Sequence, residues 1–256
     1  MHATGADSPA RLTAIASGKG GVGKTWFAIT LAHAWARLGR RVALFDGDLG
    51  LANIDIQLGL PPGPALSAAL DGKLAMARAA RHLPDLGFDV LAGHSGNLAM
   101  ASLGKDVIAS MLGGLRDLPY DDIVLDLGAG LDHATRLLAA SAETLVVLAT
   151  DEPTSLTDAY AVIKVHAADT QAAGRGDVRI VVNQAGSVAA GQRTYATLAR
   201  ACSHFLQRTP PLAGIVRRDD RVRDAIRRQT PLLTRHPGCQ AALDMEHLAA
   251  ALAGPG

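Results

Sequence analysis

The stretch Ser17 to Phe27, S-G-K-G-G-V-G-K-T-W-F, sets two lysines in a run of glycines. Gly18 to Thr25 fits the spacing G-x-x-x-x-G-K-[ST] at every position. Each residue type there has a use in holding phosphate. Gly18, Gly20, Gly21 and Gly23 let the backbone of the loop, Lys19 and Val22 included, turn its N–H groups toward an anion. A helix opening at Lys24 adds partial positive charge. Lys24 can reach the β- and γ-phosphates of a nucleotide, and the Thr25 hydroxyl can ligate Mg²⁺. Lys19 is surplus to that task. It is either a solvated lysine or one aimed across a subunit interface at the charge developing on a partner's ATP. Trp26 follows the threonine with a backbone N–H still at the helix start. Its ring has two uses, under a nucleotide or in the core, and core packing is the plainer one.

Three acids fall where carboxylates serve such a loop. L-F-D-G-D puts Asp46 at a strand end and Asp48 two residues on; I-V-L-D-L-G-A-G puts Asp126 at another strand end. A carboxylate at the carboxyl edge of a sheet can hold a metal-bound water or orient an attacking one. Asp46 and Asp126 are candidates for the metal, with Thr25, and Asp48 for the water. Asn183, closing the run V-R-I-V-V-N, has an amide able to pair with a donor and an acceptor on a base; capping the next turn is its structural use.

The elements that must position these residues read as an alternation. Buried strands are expected at Leu12–Ser17, Val42–Asp46, Phe88–Leu91, Asp122–Leu127, Thr144–Ala149, Val178–Asn183 and Leu212–Val216. Helices are expected near 24–38, 107–115, 131–141, 154–168, 188–207, 219–228 and 239–252, and Ala65 to Arg81 reads as two short helices broken at Asp71-Gly72. Short apolar strands alternating with helices predict an α/β fold, doubly wound, with a mostly parallel sheet flanked by helices. Residues 1–10 are expected as a mobile tail and 11–254 as one domain.

Composition narrows the function. Apolar residues make up 48% of the 256 residues, enough for a large core, and 25 basic against 24 acidic residues argue against a protein that coats polyanions. Cys202 and Cys239 have no metal-ligand spacing, which suits a reduced cytoplasmic chain and argues against an iron–sulfur carrier. The N-terminus lacks the apolar core of a signal peptide, and no apolar run reaches membrane-spanning length.

K-G-G-V-G-K-T resembles the deviant phosphate loop of the MinD/ParA family of P-loop ATPases. The resemblance implies ATP or ADP with Mg²⁺, an ATP-dependent homodimer, and Lys19 acting on the partner's nucleotide. It also implies Asp48 as the residue that orients the hydrolytic water, Asp46 and Asp126 in the metal's surroundings, and Asn183 at the adenine. Asp46 to Asn53 then resembles the first switch segment and Gly128, Ala129 and Gly130 the second. Trp26 departs from the family, where a small polar residue is usual.

The string E-P-T-S-L-T-D-A-Y-A-V-I-K, Glu152 to Lys164, resembles the subgroup that controls flagellar number and placement, known as FlhG, FleN or MotR. It implies flagellar assembly or regulatory partners, recruitment to a cell pole, and Glu152 near the partner's nucleotide. Read bare, it is a helix start capped by Thr154 or Ser155. Two departures matter. No D-Q-A-x-x-L-R string precedes the first strand, which weakens activation of an FlhF-like GTPase. The final helix carries Asp244 and Glu246 and no Lys or Arg, which disfavours direct binding to anionic lipid. Arg217 to Arg228 reads as a helix laced with ion pairs, with non-specific DNA contact as the functional alternative. A MinD- or ParA-like positioner of DNA, septum or other cargo is the competing function.

Overall fold

Alternation along three central strands shows why helices cover both faces of the sheet. The computed structural model describes residues 9–48, 53–61, 66–70, 73–92, 104–171 and 176–253. The strands are β1 (Arg11–Ser17), β2 (Val42–Gly47), β3 (Arg81–Leu83), β4 (Phe88–Leu91), β5 (Asp122–Ala129), β6 (Thr144–Ala149), β7 (Asp177–Ala185) and β8 (Leu212–Arg217). Leu12, Ala14 and Ala16 of β1, Phe45 of β2 and Leu125 of β5 join one apolar cluster; Ile15, Leu44 and Val124 join the other. Each central strand therefore needs cover on both sides.

Helices supply that cover. α1 (Lys24–Arg37) lies on the second face with the C-terminal helix α11 (Gln240–Ala253), and Trp35 Nε1 donates to the Ala249 carbonyl at 2.9 Å. The first face takes α5 (Lys105–Arg116), α6 (His133–Ser141), α7 (Pro153–Thr170) and α8 (Val188–Leu206). Shorter helices are α2 (Ile54–Leu58), α3 (Leu66–Leu70), α4 (Met76–Ala79), α9 (Asp220–Arg227) and α10 (Leu232–Arg235).

The strand order is β3-β4-β2-β5-β1-β6-β7-β8, parallel throughout except for β3 against β4. This is the expected doubly wound α/β fold. The register sets Asp46 of β2 directly beside Asp126 of β5, and Ile15 of β1 on the other side of Asp126.

Four expectations change. Arg81, expected in a helix, begins the antiparallel edge strand β3, which is too short to announce itself and exists through its pairing with β4. Helix α7 starts at Pro153 with Glu152 at its N-cap, and Ser155 lies inside it, its hydroxyl accepting the Thr150 N–H at 3.0 Å. Proline fits the first helical turn because its missing N–H has no partner there anyway. Ala10, placed in the tail, is buried and donates its N–H to the Arg116 carbonyl at 3.2 Å. Leu232–Arg235 forms a helical turn that the sequence reading passed over. The expected break at Asp71-Gly72 and the tail residues 1–8 lie outside the described residues.

Candidate functional site

The phosphate loop joins the central strand to α1, so it sits at the middle of the sheet's carboxyl edge. Gly21 (φ 81°) and Gly23 (φ 94°) hold left-handed backbone, and Gly23 is the N-cap of α1. Gly18 has a different reason to be glycine: an added Cβ would lie 2.5 Å from the Asp158 carbonyl oxygen of α7. From β7, Asn183 Nδ2 donates to the Val22 carbonyl at 2.8 Å and Gln184 Nε2 to the Gly21 carbonyl at 3.4 Å. The loop is thus tied to the strand tip beside it.

Lys24 and the acids converge. Burial draws the Lys24 ammonium below its ordinary pKa, against the pull of Asp126 and Asp48. Burial raises the Asp46 carboxyl to about 6 although it accepts the N–H groups of Ile54, Asn53 and Asp48. Burial raises Asp126 to about 7, with the Thr25 hydroxyl opposing and the Asp46 charge adding to it. Two adjacent carboxylates out of water are costly unless a cation joins them. Among the described residues, Asp126 Oδ1 is buried without a hydrogen-bond partner. An orphaned carboxylate oxygen beside the Thr25 hydroxyl fits a hydrated divalent ion. Asp48 lies close by; a Cβ on Gly128 would stand 3.6 Å from its carboxylate.

Asp46 also shapes the next element. Its Oδ2 accepts the N–H groups of Asn53 (2.9 Å) and Ile54 (3.2 Å) and its Oδ1 that of Asp48 (3.2 Å), so it caps the start of α2. Leu49 to Ala52, the middle of the expected first switch, lie outside the described residues.

Lys19 points elsewhere. Its ammonium forms an ion pair with Glu152 and donates to Thr154 Oγ1 at 3.0 Å, with its side chain 38% exposed. The two lysines of the loop therefore serve different places. Thr154, read from sequence as a helix cap, is a Lys19 partner; nothing in its spacing signals this.

A cleft of about 250 Å³ opens beside the loop, walled by Trp26, Asn183, Gln184, Val216 and the segment Arg217 to Ile226. Its size and mixed apolar and polar walls suit a planar base. Trp26 is buried in the core cluster, the plainer of its two expected places, and also lines this cleft. The α9 wall was read only as a charge run; the closing of β8 against β7 brings it here.

That charge run forms ion pairs within itself and with neighbouring elements. Arg217 binds Asp244 through backbone and guanidinium, Arg228 pairs with Asp224 at 3.2 Å, and Arg235 and His236 share the same Asp224. Glu246 pairs with Arg37 at 2.8 Å. The acids of α11 therefore serve the fold, and the ion-pair reading of Arg217 to Arg228 accounts for much of its charge. Among the described residues no helix is long and apolar enough to cross a membrane.

Comparison with known proteins follows this geometry. Residues 13–232 match the family model described as CobQ/CobB/MinD/ParA nucleotide binding domain. The chain is 34% identical over 251 residues to "Antiactivator FleN" of Pseudomonas aeruginosa, covering 97% of this chain and 88% of that one. It is 30% identical over 192 residues to "Flagellum site-determining protein YlxH" of Helicobacter pylori, covering 73% and 63%. Among solved structures, septum site-determining protein MinD from Pyrococcus horikoshii complexed with Mg-ADP superposes with a TM-score of 0.79 at 25% identity, covering 96% and 98%.

Proposed function

Because the chain belongs to the CobQ/CobB/MinD/ParA nucleotide-binding family, we propose that it is a slow ATP-switched, dimerising ATPase that controls the number and placement of flagella. The placement of Lys19 carries this reading. Lys24 serves the phosphates inside the loop, while Lys19 stands outward on Glu152 and Thr154. Those two partners open the E-P-T-S string that resembles the flagellar subgroup. In an ATP-bound pair of subunits, Lys19 exchanges Glu152 for the partner's phosphates, where an added cation lowers the barrier to phosphoryl transfer.

The loop Gly18 to Thr25 cradles the phosphates, and Trp26 and Asn183 face the base. Thr25, Asp46 and Asp126 are the residues that would hold Mg²⁺, which neutralises phosphate charge. Asp48 orients the attacking water. ATP then favours the dimer, and hydrolysis returns the monomer, so partner affinity follows nucleotide state. The partners are flagellar assembly or regulatory proteins, and the protein works in the cytoplasm with recruitment to a pole.

The test is complementation of a gene deletion, with flagella counted by electron microscopy and ATP-dependent mass measured by light scattering. Deletion is expected to give extra or misplaced flagella, rescued by the wild type and not by Lys19→Ala. The Lys19→Ala protein is expected to bind ATP and stay monomeric. An unchanged flagellar count would remove the flagellar role and favour a positioner of another cargo, to be tested by DNA binding at Arg217 to Arg228.

A further inference from the structure

Helix α2 is held at both ends, and the two holds come from different parts of the nucleotide site. Its first N–H groups rest on Asp46, the carboxylate next to Asp126. Its last turn accepts a side chain from outside: Gln229 Nε2 donates to the Ile56 carbonyl at 2.7 Å. Gln229 sits at the end of α9, the helix whose Val222, Arg223 and Ile226 wall the base cleft.

Gln229 occupies this place at a cost. Its φ is 51°, a left-handed conformation that glycine adopts freely and glutamine does not. The turn is closed by Gln229 N–H to the Ile226 carbonyl at 3.0 Å and Thr230 N–H to the Ala225 carbonyl at 3.1 Å. A glycine would satisfy that backbone; only a long amide reaches α2. The far side is cut to fit as well. Gly59, just past α2, would place a Cβ 2.9 Å from Gln229 Oε1. A side chain strained in backbone, fitted against a glycine and bonded to a neighbouring helix is a link between two elements.

We propose that Gln229 is a positioning residue that couples the occupant of the base cleft to Asp46 and Asp48, so that hydrolysis depends on which base is bound. A base seated against Val222 and Ile226 fixes α9. Gln229 passes that position to Ile56, and α2 passes it to Asp46 and Asp48 through the N–H groups that Asp46 holds. The inference rests on the ATPase reading given above and adds a determinant of nucleotide selectivity within it.

The experiment compares wild type with Gln229→Gly and Gln229→Glu, measuring kcat and KM for ATP and for GTP with Mg²⁺. Gln229→Gly removes the amide while easing the backbone, so folding is retained. Gln229→Glu keeps the length and loses the donor. Both variants are expected to lose about tenfold in kcat for ATP through misplaced reacting groups, with KM for ATP changed less than about twofold. The wild-type preference for ATP over GTP in kcat is expected to fall toward parity. Unchanged or raised kcat in both variants would overturn the proposal. So would an equal loss for ATP and GTP, which would make Gln229 a mere brace for α2. A wild type that turns over neither nucleotide would overturn the ATPase reading, and this proposal with it.

Discussion

Single side chains divide the labour of the site by where they are buried. Lys24 and the pair Asp46 and Asp126 lie inside; Lys19 lies on the outer surface with Glu152. Asp48 lies beside Gly128, and the proposed mechanism assigns it the attacking water. Asp48→Ala is expected to lower ATP turnover at least about a hundredfold while ATP still drives dimerisation, as seen by light scattering after addition of ATP. A second buried group acts on stability. His33 is enclosed in α1 beside Phe88, and burial, aided by the Arg37 charge, lowers its pKa from 6.5 to about 4. The unfolded histidine therefore takes up its proton first as pH falls. Folding keeps this contribution above pH 6.5 and loses about 3 kcal/mol of it by pH 4. Asp46 and Asp126, with raised pKa values, act in the opposite direction, so the wild type must be compared with His33→Leu. Urea unfolding from pH 7 to pH 4 should show the wild type losing stability relative to that variant.

At the scale of elements, the site depends on close approach as much as on side chains. The loop's first glycine lies against the backbone of α7, so that the helix bearing Glu152 and Thr154 and the loop bearing Lys19 share one wall. Gly18→Ala must push α7 away or distort the loop, and a cost of about 1–3 kcal/mol is expected. Gly20, where an added Cβ meets nothing within 4 Å, serves as the control. Chemical denaturation of Gly18→Ala and Gly20→Ala should separate the two, with Gly20→Ala near wild type. Asp219 works by another device. Its Oδ1 accepts the Arg221 N–H at 3.0 Å and its Oδ2 the Gln240 N–H at 3.0 Å, so one carboxylate caps both α9 and α11. The charge run Arg217 to Arg228 is therefore first a set of caps and pairs that fix one wall of the cleft beside the phosphate loop.

Over the whole molecule, the nucleotide would bridge the loop after β1, the acids of β2 and β5 and the α9 wall. A ligand that binds only the folded state stabilises it by mass action, by about 2.7 kcal/mol at a hundred times Kd. For a chain of this size that is roughly 5–10 °C in Tm. Saturating Mg-ATP is expected to raise the melting temperature of the wild type by this much and that of Lys24→Ala not at all. Scanning fluorimetry across an ATP titration checks it.

The local pattern of the sequence determined the phosphate loop, because G-x-x-x-x-G-K-T between a strand and a helix encodes its own backbone. It determined the α/β alternation and placed Asp46, Asp126 and Asn183 on strands, because period and punctuation are local properties; it closed the strands of Asp126 and Asn183 early, since β5 runs on to Ala129 and β7 to Ala185. It missed β3, a three-residue edge strand that exists through its pairing with β4. It also read Thr154 as a cap, and it read Arg217 to Arg228 as a helix laced with ion pairs without placing that helix beside the phosphate loop. Tertiary structure alone decided that Asp46 and Asp126 are cross-strand neighbours, that Lys19 rests on Glu152 and Thr154, and that α9 walls the cleft beside the phosphate loop. Only it could join Gln229 to Ile56, 173 residues apart in the chain. The physical reason is common to all four: strand order and helix packing are set by burial summed over both faces of the sheet, and no local spacing records which distant residues that burial brings together.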